Sequence, residues 1–197
     1  MARPRKASDE DVFEAALRMM NRLGPLEWTL SDVAREVGVT PSALVQRFGS
    51  KRDLQVALME QWAGSARELF DGLRRRATGA LDALYGYADV VAGMGESPGL
   101  AHHLAYLQID LSDPDLRSRL RRQAADTRMC IRALLEEAVA AAELLPDIDT
   151  AGLARMVEVV LTGSLLVWGI HGEEGAAASS LRHSLDALLA PYLAGGP

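Results

Sequence analysis

The chain has 197 residues, of which 49% are hydrophobic and only 5% aromatic, and it carries a net charge of −6 at pH 7. That supports one folded domain, or a small domain joined to a larger one, and the Ala- and Leu-rich composition with few β-branched runs favours helices over sheet. The single cysteine, Cys130, excludes a disulfide framework and a cysteine-pair metal site and reads as a small buried hydrophobe, while the polar N-terminal stretch gives no sign of a secretory signal.

Charge is unevenly spread. Residues 1–56 carry nine Lys/Arg and eight Asp/Glu, a net of +1, whereas residues 57–197 carry twelve and nineteen, a net of −7. Only the N-terminal part is a candidate to face nucleic acid, and only with its cations gathered on one face. Arg3, Arg5 and Lys6 surround Pro4 in a segment, 1–7, open to two readings. One is a flexible basic arm that adds phosphate or minor-groove contacts, the other an ordinary chain terminus.

Helix starts are then written plainly. Ser8-Asp9-Glu10-Asp11 places a serine N-cap ahead of an acid at the third helical position. Val12, Ala16, Met19 and Leu23 recur at helical spacing, widened by Phe13, Leu17 and Met20, until Gly24-Pro25 stops the helix. Thr29-Leu30-Ser31-Asp32 repeats the capping box, with Val33, Ala34 and Val37 as an inner face and Gly38 suited to a left-handed C-terminal position. Thr40 caps a third helix that has Pro41 at its first position, where no N–H is missed, and that runs through Leu44 and Phe48 to Gly49. Ser50-Lys51-Arg52-Asp53 is a third capping box and opens a fourth helix.

Two short helices joined by a Gly-containing turn predict a helix-turn-helix over about residues 31–50. Its second helix can enter the major groove, with Leu44 and Phe48 facing the core and Pro41, Ser42, Gln46 and Arg47 facing outward. The motif alone is common in helical proteins, so it leaves nucleic-acid binding and plain structure both open.

The order of features narrows this. The Phe13/Ala16/Leu17 face, Trp28-Thr29-Leu30-Ser31-Asp32-Val33-Ala34, Gly38-Val39-Thr40, Leu44, Phe48 and Ser50-Lys51-Arg52-Asp53-Leu54 resemble the N-terminal DNA-binding domain of the TetR family of transcriptional regulators. The resemblance implies a homodimer on a palindromic operator in double-stranded DNA. By that likeness Thr29 and Ser31 touch phosphate or bases, and Thr40, Pro41, Ser42, Ala43, Gln46 and Arg47 form the reading surface. Lys51 meets a phosphate. Two positions depart from the family, which commonly has tyrosine at Val45 and histidine or tyrosine at Arg47. Val45 cannot donate to phosphate. Arg47 can, or it can pair with a guanine edge, or it is a solvated surface arginine.

Beyond the motif, Leu54, Leu58, Ser65, Leu69 and Leu73 continue one period through a long fourth helix, with Arg74-Arg75-Arg76 suiting its C-terminal dipole. Further helices are expected at Leu81–Val91, from Pro98 to about Leu111, from Ser112-Asp113-Pro114-Asp115 to Leu145-Pro146, over 150–170 and over about 175–193. The apolar stretch Val157–Ile170 is interrupted by Glu158 and Thr162 and is shorter than the roughly 20 residues a membrane span needs. Val160, Gly163, Ser164 and Val167, with Leu181, Leu185, Leu188 and Tyr192, suit a twofold four-helix interface between chains, intrachain core being the alternative.

No catalytic constellation stands out. His102 and His103 point about 100° apart on a helix and cannot chelate one ion from one face. Tyr85, Met94, His103, Tyr106, Leu107, Met129, Met156 and Trp168 are candidates to line a ligand cavity, or else simply core. The expectation is an all-α chain of about nine helices: a basic arm (1–7), a helix-turn-helix domain (8–55) and a helical ligand-binding and dimerisation domain (56–197). Its function would be that of a cytoplasmic one-component regulator, a repressor rather than an activator, released by an unknown small-molecule effector, with no metal, cofactor or membrane partner. The rivals are a small helical enzyme or ligand carrier, or a regulator controlled by a protein partner.

Overall fold

The computed structural model describes residues 7–61, 65–95, 99–171 and 176–194. Among these the chain forms ten α-helices: α1 (Asp9–Glu27), α2 (Leu30–Val37), α3 (Pro41–Phe48), α4 (Lys51–Gln61), α5 (Ser65–Arg76), α6 (Ala80–Gly93), α7 (Gly99–Ser112), α8 (Pro114–Ala140), α9 (Thr150–His171) and α10 (Ala177–Leu189). A 3-10 turn follows at Ala190–Tyr192, and one antiparallel bridge joins Leu144 to Leu193. The expected all-α class holds. The expected long fourth helix is described as α4 and α5, and residues 62–64 between them lie outside the described residues.

The helices gather into two compact units. The first comprises residues 7–61 and 99–120, the second residues 65–95 together with 121–171 and 176–194. The first unit therefore holds more than residues 8–55, since it also takes in the rest of α4, all of α7 and the start of α8.

In the first unit, α1 begins where Ser8 and Asp11 cap each other reciprocally. It buries Val12, Ala15, Ala16 and Met19 against Trp28, Val33, Ala34, Leu44 and Leu54. Regular helix ends at Gly24, with φ 70° and ψ 179°, and Pro25, Leu26 and Glu27 form one more turn. α7 lies along α1. The Nδ1–H of His102 donates to the Asn21 carbonyl at 2.9 Å, which places the His102 ring against Gly24.

In the second unit, α10 packs on both α9 and α6, and α6 also meets α5 and α9. Leu84, Ala88, Leu153, Val157, Leu161, Leu181, Leu185 and Leu189 are buried there. Leu181 and Leu185 were expected between chains. They are instead fully buried within one, because their stripe on α10 faces α6 and α9. Gly79 has no side chain to cap α6, and the Glu143 carboxylate takes that role by accepting from the N–H groups of Ala80 and Leu81, both at 3.0 Å. The Leu145 N–H donates to the Tyr192 carbonyl at 2.8 Å, so Tyr192 is tied to the α8–α9 loop. Cys130 is only partly buried.

α9 also corrects an expectation. At 22 residues it is long and apolar enough to cross a membrane by length and composition, because the helix extends well beyond the stretch Val157–Ile170. It packs as a core helix along Leu153, Ala154, Val157, Leu161 and Leu165.

Two glycines with positive φ should respond differently to alanine. At Gly38 (φ +73°) an added Cβ meets nothing within 4 Å, so Gly38→Ala carries only left-handed strain, about 1 kcal/mol. At Gly24 the Cβ would stand 2.6 Å from Cδ2 of the tethered His102 ring, in a backbone region open almost only to glycine. Gly24→Ala is expected to cost about 3 kcal/mol in urea denaturation. Equal losses would show that His102 yields freely.

Candidate nucleic-acid interface

The α2–α3 motif is built by its caps. The Thr29 hydroxyl oxygen accepts from the Asp32 N–H, and the Asp32 carboxylate accepts from the Thr29 hydroxyl at 2.7 Å and the Thr29 N–H at 2.9 Å, which together hold the Asp32 carboxyl below its ordinary range. α2 ends at Gly38 in the left-handed region, its N–H donating to the Ala34 carbonyl. Thr40 then caps α3 by accepting from Ala43 N–H at 3.2 Å, with Pro41 at the first position. Gly49 closes α3 through its N–H to the Val45 carbonyl.

α3 has two faces. Leu44 is buried and Phe48 packs on the same core, its ring 5.7 Å from that of Phe13. Pro41, Ser42, Ala43, Val45 and Gln46 are exposed. Thr29, Ser31 and Thr40 are exposed as well, although the Thr29 hydroxyl is spent on Asp32 and that of Thr40 lies 3.0 Å from the Ser42 hydroxyl. The outward residues expected from helical spacing are thus all exposed, and Arg47 among them is held by partners of its own chain.

Arg47 is exposed but already partnered. Its guanidinium donates to the Ala7 carbonyl at 2.7 Å, pairs with Asp9 and sits 5.3 Å from the Phe48 ring centroid. Its position on α3 is near the buried edge, and the acidic first turn of α1 lies within reach of that edge. Asp9 was legible as a helix-dipole acid but not as this partner, 38 residues away.

Lys51 is also engaged. Its ammonium donates to the carbonyls of Pro25 (2.7 Å) and Trp28 (2.6 Å) and lies 4.5 Å from the Trp28 ring centroid. Burial pushes its pKa down. At most one N–H is left for a phosphate. The Trp28 indole N–H in turn donates to the Tyr106 hydroxyl at 2.6 Å, and burial pushes Tyr106 up to about 12. Sequence reasoning missed this Lys51–Trp28–Tyr106 chain, which has no local signal.

Two other cations of the first unit, Arg18 and Arg52, are paired as well. Arg18 meets Glu36 at 2.6 Å, and Arg52 meets Asp113 at 2.7 Å and Asp115 at 2.9 Å. The hydrogen bond from Arg52 is the main reason Asp113 is pushed down to about 2. Arg35 is loosely held, with its side chain 78% exposed and only a 3.3 Å contact to Asp32. It shares the exposed face of α2 with Ser31. Arg3, Arg5 and Lys6 lie outside the described residues.

The expected ligand-cavity residues divide between the units. His103, Tyr106 and Leu107 belong to the first, and Tyr85, Met94, Met129, Met156 and Trp168 to the second. Met94, Met129 and Met156 are exposed, which corrects their assignment to an enclosed wall. Tyr85 donates to Asp186 at 2.5 Å and Tyr106 accepts from Trp28. Trp168 lines an open groove of about 1000 Å³ between α9 and α10, and its indole N–H has no partner there. Val160, Gly163, Ser164, Val167 and Leu188 line the same groove, so five of the eight expected interface residues share one face. Tyr192 stands apart from it in the 3-10 turn.

Comparison with known proteins agrees with this arrangement. Residues 12–58 match the model of bacterial regulatory proteins of the tetR family, and residues 105–184 that of the tetracyclin repressor-like C-terminal domain. The HTH-type transcriptional regulator BetI of Agrobacterium fabrum is 43% identical over 70 residues, 36% of this chain and 31% of that protein. The chain thus matches less than a third of the length of its curated relatives. A TetR-family regulator from Agrobacterium tumefaciens superposes with a TM-score of 0.72 at 19% identity, over 94% of this chain and 97% of that one. A proposed transcriptional regulator from Saccharomonospora viridis, solved in complex with choline, gives 0.75 at 17% identity over 94% and 97%. At these identities the two structures share the fold.

The double carbonyl contact makes Lys51 a structural residue whatever else it does. Lys51→Ala strands two half-buried acceptors and removes a cation–π contact, and should lower unfolding free energy by about 2 kcal/mol. Arg35→Ala, on an exposed face, should change it by no more than about 0.5 kcal/mol. Thermal unfolding without DNA reads both, and a Lys51→Ala protein as stable as wild type would refute the clamp.

Proposed function

The chain belongs to the TetR family of bacterial regulatory proteins, and on that premise we propose that it is a cytoplasmic, ligand-responsive repressor that binds a palindromic operator as a homodimer. The observation that carries the proposal is α3 itself. It is a short helix capped at both ends, with Leu44 buried and Ser42, Ala43, Val45 and Gln46 held out to solvent. A protein has little reason to fix an exposed helix face so firmly unless something reads it, and such a helix fits the major groove. Thr29, Ser31, Thr40 and Pro41 would flank the reading face, with Arg35 as an added phosphate donor. Arg47 and Lys51 would contribute only by exchanging partners they already hold.

The α9–α10 groove supports the dimer. Val159, Val167 and Ile170 are at least half or nearly half exposed, and Gly163, Ser164, Ser180 and Ser184 are small enough to let another helix approach closely. Two copies of this face can form a twofold four-helix bundle. Its recognition helices would then have to match successive major grooves about 34 Å apart. A small apolar or amphipathic effector would release the operator by binding better to a state with a different spacing, and one that binds both states equally would release nothing. That a neighbour of the same fold was solved in complex with choline supports a small-molecule effector.

Selection from random DNA is expected to return a palindrome, and recovery of unrelated sequences would sink the reading. Val167→Asp, which places two carboxylates across the twofold axis, should weaken dimerisation by about a hundredfold or more in sedimentation equilibrium and abolish operator binding. Leu185→Ala should instead lower fold stability by about 2–5 kcal/mol, because that leucine is intrachain core. A Val167→Asp protein that stays dimeric would place the interface elsewhere.

A further inference from the structure

The outward face of α3 carries no unpaired charge. Its exposed residues are Pro41, Ser42, Ala43, Val45, Gln46 and Arg47, and of these the one cation, Arg47, is turned onto Asp9 and the Ala7 carbonyl. Such a face has nothing with which to neutralise phosphate. What it can complement is base edges.

Val45 is the odd member. It is 50% exposed, makes no contribution to the core cluster of the first unit, and is β-branched at a position where helix propensity would favour a straight side chain. In a helix its χ1 is confined almost to one rotamer, so its two methyl groups project as a rigid probe. The major groove has one apolar feature for such a probe, the C5-methyl group of thymine. Gln46 follows about 100° further round the helix, and its amide suits the adenine N6/N7 edge. Ser42, one turn earlier, has its hydroxyl beside that of Thr40.

We propose that Val45 is a specificity-determining residue of this protein, packing its methyl groups on a thymine C5-methyl in each operator half-site beside an adenine read by Gln46. The inference rests on the DNA-binding reading above and adds the base it selects. Val45 replaces a hydrogen-bonding contact to the backbone with an apolar contact to a base.

The test uses the full-length protein and the operator recovered from random DNA. Each thymine in the half-site is replaced singly by deoxyuridine, which removes only the methyl group. One thymine per half-site should prove sensitive, with wild-type affinity falling about fourfold per half-site and about fifteenfold when both are changed. Val45→Ala should bind the thymine and deoxyuridine operators alike, and Val45→Thr, which keeps one methyl, should fall between. Both variants should unfold as wild type does, since the site is exposed. A flat deoxyuridine scan, or an undiminished thymine preference in Val45→Ala, would overturn the assignment and leave DNA binding intact. Recovery of no operator at all would overturn the assignment and the DNA-binding reading together.

Discussion

The carbonyl oxygens of Pro25 and Trp28 sit in the last turn of α1 and at its C-cap, where a helix leaves its carbonyls without a partner of its own. One ammonium, from Lys51 at the start of α4, satisfies both and lies over the Trp28 ring. Everything that presents α3 to solvent depends on this corner. α2 leaves it one residue after Trp28, and α3 follows α2 after a short turn whose geometry Gly38 fixes. The corner is gripped again from α7, through the Trp28–Tyr106 hydrogen bond and the His102 ring on Gly24. Within the first unit, the orientation of the reading helix is therefore a property of α4 and α7 as much as of the motif itself.

That explains which parts of the structure the sequence revealed. Caps are contacts between residues three apart, and Ser8/Asp11, Thr29/Asp32 and Ser50/Asp53 all form as the local pattern predicts. The boundaries of α2 and α3 follow from them. The roles of Lys51, Arg47 and Tyr106 were hidden because their partners lie 23 to 78 residues away. A cation near a recognition helix looks the same in sequence whether it meets phosphate or a carbonyl oxygen of its own chain.

The second unit shows a different limit. A helical stripe tells that a face is apolar without telling what covers it. On α10, Leu181 and Leu185 are buried by the chain's own α6 and α9, while Leu188 lines the open groove, although all three belong to one leucine pattern. The cavity residues erred in the same way. Methionine and aromatic side chains suit adaptable walls, yet Met94, Met129 and Met156 are exposed, and the Tyr85 hydroxyl is spent on Asp186.

The remaining question is how a chain of net charge −6 holds an acidic polymer. Acidic side chains distant from the contact are screened within about 8 Å at physiological ionic strength, so the body matters less than the local tally. Locally, four cations among the described residues are committed: Arg47 to Asp9, Arg18 to Glu36, Arg52 to Asp113 and Asp115, Lys51 to two carbonyls. Each phosphate contact made by one of these is an exchange of partners, whose net gain is smaller than that of a free cation. On the DNA-binding reading, non-specific affinity is then weak, because counterion release scales with phosphates neutralised. Base-edge contacts from α3 must supply a larger share of the total. A neutral reading face on an acidic body thus sacrifices affinity for random DNA and widens the gap between the right sequence and all others.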